Sequence, residues 1–234
     1  MYESLHVEHS STVERVTEEL RRALFEGELA PGTPLREVAL AEQIGVARST
    51  IREALSLLVA EGLATRVPNR GVAVSALLAE DVRDVLRARA ALESAGARQW
   101  ATATVEQQDA VREALDAFAR TARSGASPAA LTAAHLDIHR ALVGLIGSER
   151  LLSTADALNA EIRLALARVD RVRRNAREQV SAHRELVSLL ESGRTAEAVR
   201  ALEHHLAGAE KSLVDAIHRR PHGPAAPRHR PDAD

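Results

Sequence analysis

Gly45 is the residue that most restricts what this chain can become. A helical pattern runs into it over residues 36–44. Another leaves it near Arg48 or Ser49, with Ile51, Ala54, Leu55 and Leu58 on one face. Only Gly45, Val46 and Ala47 lie between, and so short a turn makes the two helices cross sharply. An earlier helical face carries Val13, Val16, Leu20, Ala23 and Leu24, and ends at Gly27 and then Pro31-Gly32. Gly62 closes the third helix in the place of a C′ glycine. Residues 63–67 and 72–74 then read as two short strands, joined by the turn residues Pro68, Asn69, Arg70 and Gly71. Three helices followed by a small β-hairpin is the order of a winged helix-turn-helix, expected here over residues 10–76.

In that arrangement the leading end of the third helix protrudes. It presents Arg48, Ser49 and Thr50, then Arg52. Helix N-termini and short hydroxyls hold phosphates, and arginine reads guanine edges in the major groove. The hairpin tip adds a cation at Arg70, and Gly71 lets backbone come close to a groove. The whole chain is nearly neutral, net −2 from 31 basic and 33 acidic residues, so its overall charge does not point to nucleic acid. Charge along the chain does. Residues 1–42 hold nine Glu and four Arg, whereas residues 43–77 hold four Arg and two Glu.

The remaining composition narrows the class. At 234 residues the chain is long enough for one large domain or two small ones. It has no Cys, which excludes disulfides, thiolate metal sites and a Cys nucleophile, and fits a reducing cytoplasm. It holds no run of about 18 apolar residues, so no membrane span is expected, and its polar first ten residues do not read as a signal peptide. Aromatics make up 2% and Ala and Leu dominate, which favours close-packed helices over sheets. Helices are expected over 79–102, 107–123, 128–146, 149–169, 171–192 and 195–218, forming an all-α antiparallel bundle over 79–218. Residues 219–234, rich in Pro, Arg and His, are expected to be a disordered tail.

Within the helical part, His135 and His139 are four apart and share a helix face. His183 and His205 fall on two later helices separated by Gly193. Four imidazoles from three helices can meet in a bundle core and hold a divalent transition metal, Zn, Ni or Co. The spacing alone also fits surface histidines in a chain that has ten. Glu93, Glu161 and Glu185 read as structural. No His-Glu-x-x-His pattern, Gly-rich phosphate loop or Ser-His-Asp signature is present, so an enzyme is not expected. A metal-dependent enzyme or an interaction module built on the four histidines is the alternative.

The stretch from Gly27 through Pro31-Gly32 to Glu37 resembles the GntR family of bacterial transcription regulators. So do Leu40 to Gly45, then Arg48-Ser49-Thr50-Ile51-Arg52-Glu53-Ala54-Leu55, Glu61-Gly62-Leu63 and Pro68-Asn69-Arg70-Gly71. The resemblance covers about residues 12–75. It implies that Arg48, Ser49, Thr50 and Arg52 contact double-stranded operator DNA, with Arg70 and Gly71 in the wing. The chain departs from many members of the FadR group at Val38, where they carry Arg.

Residues 80–218 resemble the all-helical ligand-binding domain of that group, called FCD. The matching pieces are Arg89 to Glu93, Ile138-His139-Arg140-Ala141-Leu142, Ala182-His183-Arg184 and His204-His205-Leu206. The resemblance implies a divalent metal held by an Asp and three His, with a small carboxylate effector beside it. The three His match His139, His183 and His205. The Asp position is His135 here, so a four-His site is expected. Four neutral imidazoles leave the ion its full charge and favour Zn, Ni or Co over the oxygen-seeking Mg and Ca. Arg89 is the candidate anion contact. Together these imply a cytoplasmic, homodimeric repressor, released when an effector weakens operator binding through a coupling of typically 1–3 kcal/mol.

Overall fold

The structure, a computed structural model, describes residues 11–167 and 175–219. The chain divides into two units, one running from α1 to β3 and the other holding the helices that follow.

The N-terminal unit begins with α1 (Thr12–Phe25), whose face of Val16, Leu20 and Leu24 is buried. After it come β1 (Pro34–Leu35), α2 (Glu37–Ile44), α3 (Arg48–Ala60), β2 (Ala64–Val67) and β3 (Gly71–Val74). Gly45 caps α2 in the left-handed conformation at φ 77°, and its N–H donates to Ala41 O. A side chain would be strained there, and the glycine is what lets α3 start three residues later. Gly62 does the same for α3 at φ 73°, with the Leu63 N–H returning to Leu58 O at 2.9 Å. The α3 stripe of Ile51, Ala54, Leu55 and Leu58 is almost wholly buried. The wing turns at Pro68-Asn69, where Asn69 adopts φ 59° and the Arg70 N–H bonds Val67 O at 3.0 Å. Proline followed by a positive-φ residue is the type II turn signature.

The structure adds one strand to the expected hairpin. β1 pairs antiparallel with β3, giving a three-stranded sheet in the order β1-β3-β2. Two residues, one of them proline, carry no strand signal of their own. They pair because β3 offers Ala73 and Val72 opposite Pro34 and Leu35.

The helical unit contains α4 (Ala79–Arg98), α5 (Val105–Arg123), α6 (Pro128–Gly144), α7 (Glu149–Leu166), α8 (Ala176–Glu191) and α9 (Thr195–His218). α4 ends at Arg98 instead of continuing to 102. There the chain makes short turns, Gln99 N–H to Gly96 O and Thr102 N–H to Gln99 O, which bury Trp100. α5 starts at a capping box, with Thr104 and Gln107 exchanging side-chain and backbone bonds. α6 starts with Ser127 as its cap and Pro128 at the first position. α4 packs on α6, α7 and α9, and α5 packs on α6 and α8. Phe118, Ile138, Leu142, Ile162, Leu190 and Leu202 are fully buried between them. The expected helix limits at 169 and 171, and the expected tail from 220 onward, lie outside the described residues.

Candidate metal centre and DNA-reading surface

On the N-terminal unit, the buried stripe of α3 turns its other face outward. Arg48 and Arg52 are about 60% exposed, and Ser49 is exposed beside them. Ala47 makes no side-chain cap on α3, so the positive end of the helix is bare at Arg48. Arg70 and Gly71 are exposed at the wing tip. The two helix arginines are not splayed at random. Arg52 grips Glu37 of α2 with Nε and Nη2, at 3.1 and 2.8 Å, and Arg48 Nη2 stands 3.9 Å from the same carboxylate. Hydrogen bonding from Arg52 holds the Glu37 carboxyl below its usual range. Glu37 was not recognisable from sequence, because it meets Arg52 only across the Gly45 turn. Val38, on the neighbouring helix α2, is exposed.

In the helical unit the four expected histidines do meet. α6 supplies His135 and His139, one turn apart, α8 supplies His183 and α9 supplies His205. One ring nitrogen from each lies within 4.8 Å of all the others. His139 Nε2 is 3.3 Å from His135 Nε2 and 3.3 Å from His183 Nε2. Two ligands of a tetrahedral zinc with bonds of about 2.0–2.1 Å lie about 3.3–3.4 Å apart, so these two spacings fit the ion, and the other pairs lie within 4.8 Å. Phe118 stacks on His135 at 5.1 Å and meets His183 edge-on at 6.1 Å.

The outer nitrogens decide what the inner ones can do. His139 Nδ1–H donates to Glu93 Oε2 at 2.7 Å, and His183 Nδ1–H donates to Gln179 O at 2.7 Å. With protons fixed on Nδ1, both Nε2 atoms carry lone pairs and face each other with no hydrogen between them. A shared cation is what such a pair of acceptors accommodates. Burial keeps the rings neutral. It lowers His135 and His139 well below the usual imidazole range and lowers His183 as well. Burial, and then His139 and His183, push His205 down to about 2. Neutral imidazole is the form that ligates. Asp137 is exposed, on another side of α6 from the cluster.

Arg89 of α4 is buried beside this cluster, not on the surface. Its Nε donates to Glu93 Oε1 at 2.8 Å, while Nη2 is buried without a partner among the described residues. Gln179 Oε1 and His135 Nδ1 are buried and unpartnered in the same way. Arg89, His135, His139, Gln179 and His205 line one cavity of about 30 Å³, room for roughly two water-sized groups. Glu93, read from sequence as structural, touches both the anion candidate and a histidine of the cluster. Its i,i+4 spacing from Arg89 was the available signal.

A sharply turned helix pair with an arginine-bearing leading end and a cationic wing defines a DNA-binding protein of the winged helix-turn-helix class. Residues 12–74 match the description "Bacterial regulatory proteins, gntR family", and residues 84–208 match the FCD domain. A relative from Paenarthrobacter nicotinovorans, named as a D-xylose utilization operon transcriptional repressor, is 32% identical over 79% of this chain and 80% of its own. The Nta operon transcriptional regulator of Aminobacter aminovorans is 34% identical over 68% of this chain and 74% of its own. The solved structure of a GntR transcriptional regulator from Rhodococcus sp. RHA1 superposes with a TM-score of 0.77 at 29% identity, covering 87% of this chain and 98% of that one. The chain belongs to the GntR family and is a DNA-binding transcriptional regulator with an FCD domain, and its relatives are regulators, not enzymes. Among the described residues no helix is long and apolar enough to cross a membrane.

Proposed function

We propose that this regulator is a metal-containing repressor of the FadR group that answers to a small carboxylate. His135, His139, His183 and His205 hold one divalent ion, Zn, Ni or Co, in the helical unit. Arg89 receives the carboxylate on its free Nη2. The observation that carries the reading is the pair of Nε2 lone pairs held face to face at 3.3 Å by outer bonds to Glu93 and Gln179. The bound ion supplies a positive centre that attracts the anion. Arg89 orients the anion with a charge-assisted hydrogen bond, and Gln179 accepts from any donor it carries. The size of the cavity favours effectors of a few heavy atoms.

On the N-terminal unit, Arg48, Ser49, Thr50 and Arg52 read operator DNA, and Arg70 and Gly71 anchor the wing. Two copies of the chain, acting as a homodimer in the cytoplasm, place two such helices on the half-sites of a pseudo-palindrome. The repressor names among its relatives support repression. Elemental analysis of the purified protein tests the metal reading. One equivalent of transition metal, or uptake of one equivalent of added zinc that His183→Ala abolishes, is the expected result. Neither would refute it. Duplexes selected from a random pool test the DNA reading, and loss of selection in Arg48→Ala is expected.

A further inference from the structure

The four-histidine cluster brings no negative charge of its own, since its candidate ligands are neutral imidazoles. One carboxylate nevertheless sits against the cluster. Glu93 is 2% exposed, and its two oxygens are divided between two neighbours. Oε1 takes Arg89 Nε at 2.8 Å and Oε2 takes His139 Nδ1 at 2.7 Å. His139 is also the ring whose Nε2 lies 3.3 Å from two other ring nitrogens, so it stands at the middle of the cluster.

We propose that Glu93 is the positioning residue of the metal centre: it fixes His139 with Nε2 turned inward and supplies, one bond further out, the negative charge that the four imidazoles lack. The proposal rests on the metal reading above and deepens it. The physical reason is that an imidazole donating to a carboxylate is a more basic ligand than one donating to a neutral acceptor, and its ring cannot rotate away. His183 has only the Gln179 carbonyl for this purpose. His135 Nδ1 has no partner among the described residues. Among the described residues, His139 is thus the ligand whose outer nitrogen is hydrogen-bonded to a carboxylate, and it depends on Glu93 for both orientation and basicity. Burial raises the proton affinity of that carboxylate, and the Arg89 guanidinium, 2.8 Å from Oε1, opposes the shift.

Removing Glu93 alone leaves the Arg89 charge buried and unpaired, and such a variant can fail to fold. The informative variant is therefore Arg89→Met with Glu93→Leu, which replaces a buried ion pair by apolar side chains of similar volume. Arg89→Met alone is its companion. Zinc affinity is measured by competition with a chromophoric chelator, and the His139 tautomer by ¹⁵N NMR of the metal-free protein. The double variant is expected to bind zinc 10–100-fold more weakly than the parent. Its His139 is expected to lose the fixed Nδ1–H form, while Arg89→Met, which retains the Glu93 acceptor, keeps that form and loses less affinity than the double variant. Restoring an acceptor with Arg89→Met and Glu93→Gln is expected to recover the tautomer. A double variant that binds zinc as tightly as the parent overturns the proposal. So does Arg89→Met carrying the whole loss, or a parent His139 protonated on Nε2. A parent protein that takes up no zinc refutes the four-histidine reading instead, a different failure.

Discussion

Gly96 of α4 sits about one turn beyond Glu93 and two turns beyond Arg89 and faces the end of α6, the helix that carries His135 and His139. A Cβ at this position would lie 1.9 Å from the Leu142 carbonyl oxygen and 2.8 Å from its carbon. Ordinary contact begins near 3.4 Å, so Gly96→Ala requires α4 and α6 to separate locally by about 1.5 Å. Because the obstacle is backbone, no rotamer relieves it. Overpacking of this kind costs about 1–3 kcal/mol and sometimes more, while alanine returns at most about 1 kcal/mol of helix propensity. A 1.9 Å approach to backbone takes the upper end of that cost, about 3 kcal/mol, so the net loss is about 2 kcal/mol, or roughly 4–8 °C in the thermal midpoint of a chain this size. Metal affinity should suffer as well, because ligand distances tolerate only about 0.2 Å and the two helices hold Glu93 and two of the histidines. A fall of at least 10–100-fold is expected, as for loss of an outer-shell partner. Circular dichroism melts of the metal-free chain and zinc competition provide the readouts. Gly144→Ala is the control: a Cβ there meets nothing within 4 Å, and its midpoint should stay level or rise. A Gly96→Ala protein that melts with the parent and binds zinc equally well would refute the close-approach argument.

Three other outcomes follow from the same geometry. Arg52→Ala removes a guanidinium that we propose reads a base, and is expected to cost about 1–3 kcal/mol of specific operator affinity, measured by fluorescence anisotropy on a selected duplex; unchanged affinity there would displace Arg52 from the proposed interface. Glu37→Gln loosens the grip on Arg52 and removes one negative charge beside the proposed DNA contacts, so non-specific affinity should rise and the ratio of specific to non-specific binding should fall. Acid should destabilise the metal-free protein. The four buried imidazoles have proton affinities below the unfolded value near 6.5, so the unfolded chain binds more protons and stability falls as pH drops below about 6.5 towards the lowered native values. Urea midpoints between pH 7.5 and 5 read this directly, and a flat profile would mean the histidines are not buried and neutral.

Much of the architecture is legible in the sequence because it is local. The 3.6-residue period of Ile51, Ala54, Leu55 and Leu58 marks α3, and the glycines at 45 and 62 mark its neighbouring turns, since only a residue without Cβ takes those conformations cheaply. The spacing of His135 and His139 places both on one face of α6 for the same reason. β1 carries no signal in the sequence because a strand of two residues exists only through its partner. The end of α4 is not legible either, because Trp100 continues the apolar pattern while the backbone has already turned, burying the ring beneath Arg112, 5.2 Å above it.

The sequence by itself determined the candidates: which residues could read DNA, which imidazoles could ligate, and the order of the elements that carry them. Tertiary packing alone decided that four imidazoles from three helices converge, that Arg89 goes inward, and that Glu93 and Glu37 become partners of the groups that act. Neighbours three or four positions apart are fixed by the pitch of one helix. Glu93 and His139, 46 positions apart, meet only because a bare glycine lets two helices come into backbone contact.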